Sequence, residues 1–151
     1  MAKAGETANF SAEERAAMKA AASEKRAARS KAKKDPAEVR REGEAEVRAK
    51  LADMPDRDRE LGQRLHELVS EVAPQLTPRT YYGMPAYANE AGKVVCFYKP
   101  SSKFKVRYST FEFEQAANLD DGAAWATSFA VTALGEKEIA FFSDLVRRAV
   151  S

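Results

Sequence analysis

The chain has 151 residues, 44% of them hydrophobic, with 25 Lys/Arg against 23 Asp/Glu and a formal charge of +2. That length suits one compact domain with room for a tail and excludes two full cores. No apolar run approaches the roughly 20 residues that cross a bilayer. A lone cysteine, Cys96, excludes an internal disulfide, and no signal-type hydrophobic stretch follows Met1, so the expectation is a soluble cytoplasmic protein with no membrane partner.

The balance of charge is uneven along the chain. Residues 1–35 carry nine Lys/Arg against five Asp/Glu, leaving sixteen against eighteen afterwards. Lys25, Arg26, Arg29, Lys31, Lys33 and Lys34 form a cationic run with no anion inside it, a pattern suited to phosphate backbones or an acidic partner. No aromatic residue interleaves these cations, so base stacking has no platform there. A solvated, partly helical extension explains the same run. Ser11-Ala12-Glu13-Glu14 matches a capping box with Phe10 at the staple position, and helix formers continue to Lys33. Bulky apolar residues are nearly absent beyond Met18, so this helix should fray unless it docks. Asp35-Pro36 ends it.

Ala37 to Ala52 predicts a second helix with only Val39, Val47 and Leu51 as its apolar stripe, which reads as a connector. Pro55 suits the first turn of a third helix, with Asp56 and Asp58 near its positive end. Leu61, Leu65, Leu68, Val69 and Val72 then share one face, the mark of a core-facing helix ending before Pro74. His66 sits at the edge of that stripe and reads as structural or surface, because no nucleophile or carboxylate motif names a partner for it.

After Pro78 the period changes to two. The region from Thr80 to Thr110 reads as three strands of an antiparallel meander, with turns at Asn89–Gly92 and Pro100–Ser102. The first strand holds Thr80-Tyr81-Tyr82-Gly83-Met84-Pro85-Ala86-Tyr87, three aromatic rings beside a glycine and a proline. Alternation sends Tyr81, Gly83, Pro85 and Tyr87 to one face and Tyr82, Met84 and Ala86 to the other, and either set is open to a ligand-binding reading. Val94 to Tyr98 is apolar on both faces, which buries Cys96 as an inert thiol. In the third strand Phe104, Val106 and Tyr108 point inward while Lys103, Lys105 and Arg107 make a cationic face, suited to phosphate or carboxylate or simply to solvent.

Phe111 to Leu119 reads as a short helix closed by Asp120-Asp121-Gly122, more a turn than a metal site. Trp125 to Val131 resembles another strand. Ile139, Phe142, Val146 and Ala149 mark a closing amphipathic helix from Gly135 to Val150.

In this order, Tyr82-Gly83-Met84-Pro85-Ala86-Tyr87, Lys93 to Phe97, Lys103 to Tyr108 and the last helix closely resemble the YdhG-like family of bacterial domains of unknown function. The resemblance covers roughly Pro55 to Val150 and leaves the basic segment outside. It implies a small α+β domain, an antiparallel β-sheet packed against N- and C-terminal amphipathic helices, in the broad company of frataxin-like folds. Some relatives are described as iron chaperones, so iron enters as a cofactor or cargo by the resemblance alone. Asp56, Asp58 and Glu60 are the carboxylates that would meet it, and the same residues suit helix capping.

The expected organisation is therefore a basic, partly helical or mobile extension over residues 1–36, a connector helix over 37–54 and an α+β domain over 55–151. The expected function is a non-enzymatic binding or chaperone-type module for an unknown small ligand or protein partner. Its candidate ligand residues are Tyr82, Met84, Tyr87, Lys103, Lys105, Arg107 and Trp125. The alternative is association with nucleic acid through the basic segment and the Lys103, Lys105 and Arg107 face. No nucleophile–base pair, phosphate loop, dinucleotide fingerprint or metal motif stands in the sequence to mark an enzyme.

Overall fold

A computed structural model describes residues 10–31 and 34–151. The fold is α+β. Three helices come first, α1 (Ala12–Lys31), α2 (Pro36–Ala52) and α3 (Asp56–Val72), followed by strands β1 (Thr77–Tyr81), β2 (Met84–Ala88) and β3 (Val94–Lys99). A single-turn helix α4 (Ser101–Phe104), strands β4 (Ser109–Phe113) and β5 (Ser128–Val131) and helix α5 (Glu136–Ala149) complete it. The five strands form one antiparallel sheet in sequence order. None of the described helices is long and apolar enough to cross a membrane.

Strand register explains the two faces of this sheet. Tyr87 faces Cys96, Cys96 faces Phe113, and Tyr98 faces Phe111, so these side chains share one surface. They pack with Val47 and Leu51 of α2, with Leu61, Leu65, Leu68 and Val69 of α3, and with Phe142, Leu145 and Val146 of α5. The apolar stripes read from α3 and α5 face this core, with Val72 and Ile139 partly buried at its margin. Cys96 is fully enclosed, and burial pushes its thiol pKa up, away from the reactive thiolate. The opposite face carries a smaller cluster, Met84, Ala86 and Phe97, edged by Tyr81, Tyr82 and Phe104.

The segment from Thr80 to Tyr87 is a hairpin and not one strand. Tyr82 and Gly83 both adopt positive φ, 52° and 76°, and Tyr81 pairs directly with Met84 across them. Two successive left-handed residues make the tight turn whose twist matches antiparallel strands. The expected alternation therefore breaks at the turn: Tyr81 joins Met84 and Ala86 on the smaller cluster, while Tyr87 enters the main core.

The expected third strand, Lys103 to Tyr108, is also corrected. Pro100 leads into α4, and Lys105 closes it in the left-handed conformation at φ 53°. The cause lies 44 residues upstream, where Asp58 accepts the Ser102 backbone N–H at 2.9 Å. The Ser102 and Ser101 hydroxyls donate to the same carboxylate, the latter at 3.0 Å. Asp58 thus supplies from another helix the cap that α4 lacks locally. The next strand follows later than expected: Phe111 and Phe113 lie in β4, not in a helix, with Ser109, Phe111 and Phe113 turned inward.

Helix α2 is more than a connector. Gly43, Val47 and Leu51 recur every fourth residue and are all buried. Gly43 lets the helix cross β1 at very short range, since a Cβ there would lie 1.9 Å from the Pro78 carbonyl oxygen. Arg40 also donates to the Leu76 carbonyl at 3.1 Å, tying α2 to the entry of β1.

Candidate anion sites on α1 and the β1–β2 turn

The Ser11 hydroxyl accepts the Glu14 backbone N–H at 3.1 Å, so the first part of the expected capping box starts α1. From there Glu13, Ala17, Ala20 and Glu24 fall on one side of the helix, within about 60° at 100° per residue. This is the docking side. Ala17 is buried, Ala20 and Glu24 are half-buried, and Glu13 pairs with Lys105 at 2.6 Å. The Lys105 contact holds the Glu13 carboxyl below its ordinary pKa and raises the Lys105 ammonium. Arg15, Lys19, Arg26 and Arg29 are exposed and share the opposite side, within about 80° of arc and spread over about 21 Å of helix. Lys25 is exposed at the edge of that stripe.

The remaining cations of the expected run do not extend it uniformly. Lys34 turns to Glu42 at 2.8 Å, beside the start of α2. Lys31 is the last residue of α1, and Lys33 lies outside the described residues.

At its far end α1 meets the β1–β2 turn. Glu24 accepts the Tyr82 N–H at 2.9 Å with one carboxylate oxygen and the Gly83 N–H at 3.0 Å with the other. Lys103 approaches from α4 and donates to the Tyr82 carbonyl at 3.0 Å. Burial lowers the Lys103 pKa, with Lys50 acting in the same direction and Glu24 opposing. Glycine is the residue best suited to the second turn position. Besides its positive φ, a Cβ on Gly83 would sit 2.3 Å from the Lys103 ammonium nitrogen and 3.5 Å from the Ala20 methyl.

The other expected ligand residues disperse. Met84 is buried, and the Tyr87 hydroxyl faces the interior. Lys103, Lys105 and Arg107 form no common face: one caps the turn, one pairs with α1, and Arg107 lies over the Tyr108 ring at 4.8 Å. Trp125 is exposed in the loop before β5. Asp56 pairs with Arg59 at 2.7 Å, while Asp58 is 3% exposed with both oxygens committed to serine donors. Glu60 is exposed on α3. These three carboxylates do not converge as metal ligands, and among the described residues no group of three or more His, Cys, Asp or Glu does.

One polar constellation has no signal in local sequence. His66 is buried, with Nδ1 2.8 Å from the Tyr87 hydroxyl and Nε2 2.7 Å from Glu44 of α2. A carboxylate only accepts, so Nε2–H donates to Glu44; on a neutral ring Nδ1 then accepts the Tyr87 O–H. Burial raises the Tyr87 pKa well above the ordinary phenol, which keeps that proton in place. Glu44 also pairs with Arg48 at 2.8 Å. The two partners of His66 lie 21 and 22 residues from it, beyond any motif spacing.

Comparison with known proteins finds no matching family model, no similar curated protein and no similar solved structure.

Proposed function

We propose that this protein is a non-enzymatic binding module that associates with nucleic acid through the outward side of α1. The observation that carries this reading is the orientation of α1. Two of its three glutamates, Glu13 and Glu24, turn inward to Lys105 and the β1–β2 turn, while Arg15, Lys19, Arg26 and Arg29 turn outward along one stripe. Docking thus separates the charges of a mixed helix into an acidic inner side and a basic outer one. A stripe about 21 Å long spans several phosphates of a nucleic-acid strand. It offers no aromatic stacking surface, so the contacts position a backbone without reading bases.

Titration of a fluorescent duplex at several salt concentrations tests this. Affinity should fall steeply with salt, and replacing Arg15, Arg26 and Arg29 with Ala should reduce the magnitude of the salt slope by about one for each phosphate no longer neutralised. Binding that ignores those substitutions, or no binding at low salt, overturns the reading.

The small-ligand reading keeps one specific observation. An open groove of about 1610 Å³ runs from α1 and α2 past β1 and the β2–β3 turn to the residues that follow α5, with Lys34, Arg40, Lys50 and Arg79 on its wall. Glu24, Glu46 and Glu90 share that wall, Lys34 is paired with Glu42, and none of the ligand residues expected from the sequence lines it. Iron and the YdhG-like resemblance add no ligand set to either reading.

A further inference from the structure

We propose that the β1–β2 turn is a carboxylate-binding site in its own right, that Glu24 is its built-in ligand, and that an acidic peptide segment of a partner competes with α1 for it. This site lies on the inner side of α1, opposite the cationic stripe, and does not depend on nucleic-acid binding.

Every donor of the site belongs to the body of the protein. Two successive left-handed residues turn the Tyr82 and Gly83 amides the same way, and each meets a different oxygen of one carboxylate, at 2.9 and 3.0 Å. That one-to-one match is the geometry of a planar two-oxygen anion. Lys103 stands beside it, half-buried and fastened to the turn through the Tyr82 carbonyl, a contact that does not involve Glu24. Only Glu24 comes from α1.

The helix that brings it is weakly held. Ala17 is the one buried side chain among those described in α1, and the other polar tie is the exposed Lys105 ammonium on Glu13. A ligand tethered in this way acts at an effective concentration in the millimolar range, which a single external carboxylate matches poorly, whereas an acidic peptide that meets both the turn and Lys105 replaces both polar ties of α1. Capture of such a peptide and docking of α1 are therefore mutually exclusive at this turn.

The test uses the full chain labelled with 15N and follows the Tyr82 and Gly83 amide resonances. Sodium acetate is the probe, with inorganic phosphate as the competing anion and chloride as the ionic-strength control. In E24A, acetate should shift both amides at concentrations about tenfold below those needed in the wild type, and K103M in that background should weaken the response several-fold. A hexaglutamate peptide added to the wild type should displace Glu24 and speed hydrogen exchange along α1. E24Q, which keeps the side-chain shape, serves if E24A disturbs the fold, and should show the same ordering. Equal responses in wild type and variant, or silence in both variants beyond the chloride control, overturn the proposal. Tighter binding of phosphate than of acetate overturns the carboxylate assignment. The duplex titration reads the other side of the helix, so failure of either proposal leaves the other standing.

Discussion

Helices α1 and α2 start from similar sequences and end in different structural roles. Both are rich in Ala, Glu, Lys and Arg, and both offer few large apolar residues. In α2 those few align: Gly43, Val47 and Leu51 stand one above another, and the missing side chain at Gly43 lets the backbone of β1 come within reach of the helix. In α1 the aligned residues are alanines flanked by two glutamates, so the helix is held by small apolar contacts and polar ties. The lesson is that the count of apolar residues says less than their alignment and the distance of closest approach. A helix without bulk can be pinned if a glycine is in register, and a helix without either depends on small side chains and polar ties.

Breaking α2 should cost most. Gly43→Ala forces a methyl into the Pro78 carbonyl, a backbone atom that cannot swing away, and should destabilise the protein by about 3 kcal/mol, lowering the melting temperature by roughly 6–12 °C. Gly62→Ala sharpens the point. Its new methyl would meet the Leu51 and Tyr98 side chains at 2.4 and 2.8 Å, and side chains can yield, so a smaller loss of about 1–2 kcal/mol is expected by thermal melting.

Next come the buried polar groups. Asp58→Ala strips the Ser102 N–H and three serine hydroxyls of a common acceptor and should cost about 2–3 kcal/mol in denaturant unfolding. It should also change the acid limb. Burial works to raise the Asp58 pKa, yet hydrogen bonds from Ser102, Ser101 and Ser109 outweigh it and bring the value below the ordinary 3.8. The unfolded chain therefore takes up the proton first. The contribution of Asp58 is complete above that range and is lost as pH falls through the lowered folded value, so the wild type should lose stability there more steeply than Asp58→Asn. Glu44→Ala should cost about 1–3 kcal/mol, because the His66 Nε2–H is left inside without its acceptor.

Breaking α1 should cost least. Ala17→Glu places a charge on the docking side, and amide exchange along α1 should accelerate while the melting temperature of the body shifts by no more than a few degrees. A large drop in melting temperature would show that α1 is as integral as α2 and would dissolve the contrast between them.

How far these features could be read in advance depends on the range of the forces that make them. Helices α3 and α5 were legible because their buried faces repeat every three to four residues. The turn at Asn89–Gly92, the apolar strand β3 and the burial of Cys96 were legible from equally local signals, turn-forming residues and a continuous apolar run. The β1–β2 turn was not. A tyrosine at positive φ is uncommon, and Tyr82-Gly83 lacks the asparagine or aspartate that announces such a turn. Lys103 to Arg107 read as an alternating strand because nothing nearby reveals that Asp58 will cap a helical turn there. The candidate sites divide in the same way. The cations of α1 are visible one by one, whereas their outward direction follows from where Glu13 and Glu24 find partners.

Periodicity, caps and charge belong to neighbouring residues, and for this chain they settle an α+β class, two core-facing helices and a buried thiol. The pairing of Glu24 with the Tyr82–Gly83 amides, of His66 with Glu44 and Tyr87, and of Asp58 with three serines joins residues 21 to 59 positions apart. Only the folded chain brings such groups within hydrogen-bond distance, because a 3 Å contact depends on the packing of whole elements and no local pattern encodes it.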